Sequence, residues 1–161
     1  MFELIQVSKN SFYIQSPSKI GLVRLNDTHV CLIDSGSDKE AGRKVRQILD
    51  ANGWQLTAIF NTHSNADHIG GNKYLQGQTG CKIYVPGVEC AFTSYPVLEP
   101  SFLYGGFPPE DLRRKFLMAQ ASSALNMMAK GCDTSAGDGG RKGRDGKTLI
   151  DAGAPRIIAS E

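Results

Sequence analysis

Residues 61–72 read Asn-Thr-His-Ser-Asn-Ala-Asp-His-Ile-Gly-Gly-Asn and hold two of the chain's three histidines. His63 and Asn65 stand at i and i+2, so in an extended segment both side chains point the same way. Asp67 and His68 come after the chain turns and can face a neighbouring point a few ångströms off. Gly70 and Gly71 let the backbone pass close by with no side chain intervening. Imidazole nitrogen and carboxylate oxygen are borderline donors that suit zinc and also iron or manganese. The question is whether this is a metal-binding loop or a polar turn.

Outward from that stretch the pattern is α/β. Towards the N-terminus, Ser11–Gln15, Lys19–Leu25 and His29–Asp34 read as short strands, with a hairpin turn at residues 26–28. Gly36 breaks the run, and Ser37 or Asp38 offers a helix N-cap. Ala41, Val45, Ile48 and Leu49 then fall on one face of an amphipathic helix that stops at Asn52-Gly53. Leu56–Asn61 is the strand that leads into the loop. After it, residues 73–80 form a short helix ending at Gly80, and residues 81–87 another strand. Strand, helix, strand, loop, helix, strand is an α/β order.

Further on the texture changes. Five prolines between residues 86 and 109 interleave with Phe92, Tyr95, Phe102, Tyr104 and Phe107, which predicts a packed but irregular excursion. A short basic helix over residues 109–119 follows, and residues 122–131 are read as helical. From Gly131 to Gly153 there are seven glycines and hardly a large apolar side chain. Such a segment buries too little to offset its ordering entropy. Apolar β-formers return only in Thr148–Ile150 and Arg156–Ile158. The division is therefore a domain over residues 1–117 and a poorly patterned, out-of-frame or disordered segment over 118–161.

Bulk properties exclude several classes. A net charge of +2 gives no basic excess for nucleic acid, and Asp138 and Asp145 dilute the cations of the tail. The sequence around Gly146-Lys147-Thr148 lacks the glycine a phosphate loop needs, because position 141 is arginine. No apolar run is long enough for a membrane span, and the first residues carry no signal peptide pattern. Cys31, Cys81, Cys90 and Cys132 form no C-x-x-C pair and read as free, inert thiols. The expectation is a cytoplasmic protein.

Thr62-His63-Ser64-Asn65-Ala66-Asp67-His68-Ile69-Gly70-Gly71 resembles the H-x-H-x-D-H-x-G-G signature of the metallo-beta-lactamase superfamily. Val30–Gly36 resembles the strand that ends in an aspartate before that fold's first helix, and Leu56–His63 the strand that delivers its metal loop. The resemblance covers roughly residues 12 to 88. It implies an αβ/βα sandwich with one or two zinc ions, or iron or manganese, between its sheets. It also implies a metal-bound hydroxide that attacks a small-molecule ester, thioester, lactam or phosphodiester. His63 would then ligate the first metal and His68 the second. Asp67 would ligate the second too and serve catalysis by holding the hydroxide. Asp34 would support the loop from behind, unless it merely caps the helix. His29 is a strand-edge residue.

Two departures qualify this. Asn65 stands where the family places a second histidine, and an amide is a poor zinc ligand. No histidine follows His68, whereas the family draws further ligands from its second half and a catalytic zinc needs three protein ligands. The expectation is an incomplete fold whose uncovered sheet face leads to self-association. Two function classes stay open: a metal-dependent hydrolase, and a truncated or degenerate non-catalytic relative that keeps a weak metal site.

Overall fold

A computed structural model describes residues 2–127 of the chain. The readings made above for Thr148–Ile150, Arg156–Ile158, the phosphate-loop-like stretch and Cys132 lie outside the described residues.

Seven strands form one mixed sheet in chain order: β1 (Glu3–Gln6), β2 (Ser11–Gln15), β3 (Ile20–Arg24), β4 (His29–Ile33), β5 (Gln55–Phe60), β6 (Lys82–Val85) and β7 (Leu125–Asn126). The first four pair antiparallel and the last four parallel. The switch has a local cause. A turn at Asn26, whose Oδ1 accepts from the N–H groups of Thr28 and His29, folds β3 back onto β4. From β4 onward a helical crossover returns the chain to the same end, as parallel pairing requires.

Helix α1 (Lys39–Ala51) makes the first crossover. Asp38 caps it by accepting from the Ala41 N–H at 2.9 Å, and Gly53, at φ 68°, turns the chain out of it. A one-turn helix α2 (Ala66–Ile69) and the longer α3 (Asn72–Thr79) make the second, ending at left-handed Gly80. Helices α1 and α3 touch each other, and both rest on the sheet. Val45, Leu49 and Leu75 meet Ile14, Ile20, Leu22, Val30, Leu32, Ile59 and Ile83 in one core. Alternation along each strand sends these side chains to the helix face.

Three expectations are corrected. The proline-rich stretch is not irregular: it holds α4 (Glu89–Ser94) and α5 (Leu98–Tyr104). Pro100 fits because it lies in the first turn of α5, where its missing N–H has no intrahelical partner in any case. Its aromatics are also less packed than read; Phe102 is 78% exposed, and Tyr95, Tyr104 and Phe107 are exposed as well. The basic helix at 109–119 shrinks to a 3-10 turn at Glu110–Leu112, because its cations take tertiary partners. Arg113 lies over the Phe107 ring and Lys115 reaches Asp38. Finally, Leu125–Asn126 is strand rather than helix, since the edge of β6 offers it a ladder. Strand β1 was not anticipated.

Candidate metal centre

Asp34 and the 61–72 loop meet at the carboxyl ends of β4 and β5, where the parallel strands stop. Asp34 directly follows β4, is 4% exposed and adopts φ 63°, a left-handed conformation that costs a non-glycine residue about 1 kcal/mol or more. Its carboxylate holds that position through four donors. Oδ1 accepts from the Thr62 N–H at 2.9 Å and from Asn61 Nδ2 at 3.4 Å. Oδ2 accepts from the Thr62 hydroxyl at 2.8 Å and from His68 Nδ1 at 2.8 Å. Asp34 is therefore not the helix cap; that task falls to Asp38.

These bonds settle how both imidazoles are presented. The Thr62 hydroxyl gives its proton to Asp34, so its oxygen accepts from His63 Nδ1 at 2.8 Å. His68 likewise spends Nδ1–H on Asp34. Each ring thus has Nδ1 engaged and presents Nε2 on the opposite side, which is how a carboxylate or hydroxyl behind a histidine orients it as a ligand. The two rings lie 4.1 Å apart between centroids, tilted by 48°. Asp67 Oδ2 lies 3.5 Å from His68 Nε2 and accepts from the Ser18 hydroxyl at 3.0 Å.

His63 and Asp67 each lie against His68, with Asp34 directly behind His68 and behind His63 through the Thr62 hydroxyl. Asn65 is exposed; its extended backbone starts α2, but its side chain makes no capping bond. His29 is at the other end of β4, bonded to Asn26 and Thr28. In kind, two imidazole nitrogens and a carboxylate suit zinc. In number they fall short, for among the described residues no three His, Cys, Asp or Glu side chains gather closely enough to hold an ion.

Several contributors were not legible in the sequence. Asn61 and Asn72, the two ends of the opening stretch, bond to each other at 2.8 Å and tie α3 to Asp34. From the proline-rich stretch, Glu89 Oε2 accepts from the Ser64 N–H and Glu99 Oε2 from the Ala66 N–H, both at 2.8 Å. Burial, opposed by the Ala66 N–H and reinforced by the charges of Asp67 and Glu89, pushes the Glu99 carboxyl up to about 7. Acids such as these, in a stretch rich in aromatics, leave no periodic trace. Burial also raises the Cys31, Cys81 and Cys90 thiols, as inert cysteines require, and all three are free.

The metallo-beta-lactamase superfamily model matches residues 14–126. The hydroxyacylglutathione hydrolase of Methylococcus capsulatus is 35% identical over 82 residues, a match covering 42% of this chain and 32% of that enzyme. That of Bradyrhizobium sp. is 51% identical over 47 residues, covering 29% and 18%. Among solved structures, the subclass B3 metallo-beta-lactamase of Bradyrhizobium japonicum superposes with a TM-score of 0.58 at 20% identity, over 78% of this chain and 44% of that one. A beta-lactamase from Chitinophaga pinensis gives 0.61 at 16%, over 76% and 44%. The chain spans at most about a third of these curated relatives and under half of these solved chains.

Proposed function

The chain belongs to the metallo-beta-lactamase superfamily, and from that premise we propose that it carries the metal-binding half of a hydrolase acting on a small acyl substrate. A thioester is the first candidate, with esters, lactams and phosphodiesters as the wider class. The observation that carries this reading is the pair His63 and His68, with ring centroids 4.1 Å apart beside Asp67, each with Nδ1 engaged from behind. The hydroxyacylglutathione hydrolases among its relatives support the thioester.

His63, Asp67 and His68 would hold the metal, zinc in the first place and iron or manganese with the same donors. When bound, such a metal supplies Lewis acidity and makes water nucleophilic near neutral pH. The protein's own part is to orient. Asp34 and Thr62 hold both imidazoles by Nδ1, and the Ser18 hydroxyl steadies the Asp67 carboxylate at 3.0 Å, which would ligate the metal. Among the described residues no helix is long and apolar enough to cross a membrane. The unpaired thiols suit the reducing cytoplasm.

Two observations favour a second reading, a non-catalytic relative. Asn65 occupies a ligand position, and no three donors converge among the described residues. Hydrolysis of a hydroxyacyl-glutathione thioester by the purified chain with one equivalent of zinc decides between them. Turnover that a chelator abolishes and His68→Ala removes supports the hydrolase. Rates equal to zinc in buffer support the second reading.

A further inference from the structure

The 61–72 loop is held from two sides. Behind it stands Asp34, within the part of the chain that resembles the family signature. On its other flank stand residues from α4 and α5. Ser64 N–H donates to Glu89 Oε2 at 2.8 Å, and the Ser64 hydroxyl bonds the Glu89 carbonyl and Thr93 Oγ1, each at 2.9 Å. Ala66 N–H donates to Glu99 Oε2 at 2.8 Å. The amides at 64 and 66 alternate with the side chains at 63, 65 and 67, so anchoring them fixes the backbone between His63 and Asp67.

We propose that Glu89 and Glu99 are positioning residues for the metal loop: a two-carboxylate clamp through which α4 and α5 set the placement of His63 and Asp67. Burial and bond chemistry support it. Ser64, Ala66, Thr93 and Glu99 are all buried, so the Ala66–Glu99 and Ser64–Thr93 bonds are shielded from water, while Glu89 is half-buried. A carboxylate accepting a buried backbone N–H makes a bond roughly twice as strong as a neutral one. Burying an acid beside Asp67 and Glu89 is unfavourable, and here its carboxyl satisfies the buried Ala66 N–H, which a hydrophobic side chain would leave without an acceptor.

The inference rests on the metal reading of His63, Asp67 and His68, so its test needs one readout that does not depend on metal. Amide hydrogen exchange and zinc titration are measured on the whole 161-residue chain for wild type, E89A, E99A, E89Q and E99Q. Glutamine keeps an acceptor oxygen and alanine does not. The clamp predicts slow exchange at Ser64 and Ala66 in wild type. In the alanine variants that protection is lost while Leu32 and Ile59 stay protected, and zinc affinity falls at least tenfold. The glutamine variants restore both. Leu49→Ala, which destabilises the core without touching the loop, serves as control and keeps its zinc affinity.

Unchanged protection in the alanine variants overturns the clamp. Lost protection with wild-type zinc affinity overturns the positioning role, as does an equal loss of affinity in Leu49→Ala. A wild type that binds no zinc while Ser64 and Ala66 behave as described contradicts the metal reading, and with it the role of the clamp in placing ligands. The anchoring bonds themselves then stand as structure only.

Discussion

At the scale of single residues the site is organised by carboxylates. Asp34 accepts from Asn61, Thr62 and His68, and offsets its left-handed backbone with those bonds. Its importance was half legible: an aspartate ending a strand before a helix marks it, but the same position suits a cap. Glu99 left no mark at all, and it makes a pH prediction. Its ordinary value of 4.5 is raised to about 7 in the folded chain, by burial first and then by Asp67 and Glu89. Below about 4.5 the carboxyl is protonated folded and unfolded alike. Between that and about 7 only the folded state keeps the proton, so stability falls as pH rises through this window and levels off above it. The loss amounts to roughly 3 kcal/mol at most. Urea unfolding of wild type and Glu99→Gln in chelator, from pH 4.5 to 7.5, checks it. The stability difference between them should shift across the window in favour of the variant; parallel curves contradict the assignment.

At the scale of elements, the loop after β4 and the loop after β5 are closed against each other. Ser35 N–H donates to the His68 carbonyl at 2.8 Å, and Gly36 bridges to Ile69. This explains Gly70-Gly71 by space. A Cβ on Gly70 would lie 2.2 Å from the Ser37 carbonyl carbon, and one on Gly71 2.3 Å from the Ser35 oxygen. Backbone cannot move aside as a side chain does. Gly70→Ala should therefore cost about 3 kcal/mol, the upper end of the usual overpacking range. Gly77→Ala, in α3 with nothing within 4 Å, should instead stabilise by about 0.5–1 kcal/mol. Urea midpoints separate the two, and a neutral Gly70→Ala would refute the packing account. Strands β2 to β6 and helix α1 were legible because their apolar periods are strong. The α4–α5 region was not, because prolines in the first turn or between helices read as breakers although they cost those helices nothing. Strand β7 is two residues long, too short for any period, and exists only because β6 offers an edge.

At the scale of the whole molecule, the sheet has two unlike faces. Helices α1 and α3 cover one. On the other, cross-strand partners Ile5, Tyr13, Gly21, Ile33, Phe60, Tyr84 and Leu125 form one row across all seven strands. Ile33 is 41% and Phe60 36% exposed, and the Phe60 and Tyr84 rings stack at 5.2 Å. The α/β class and the family follow from elements that the sequence made visible. This row does not, because it depends on register that strand patterns alone leave open. An apolar band of that width drives association, and we expect the chain to pair with a second copy through it. Sedimentation velocity should show a concentration-dependent dimer that Ile33→Lys dissociates. A monomer at every concentration tested contradicts this.

Ile33 and Phe60 of that row immediately precede Asp34 and the 61–72 loop, on which the account of this protein rests. Its central claim is that His63, Asp67 and His68 are metal ligands. Calorimetric titration of the purified chain with zinc at neutral pH tests it most directly. The account predicts one ion per chain, with heat abolished in His63→Ala and His68→Ala and unchanged in His29→Ala. Zinc uptake that survives loss of both His63 and His68, or no uptake by wild type, would contradict it.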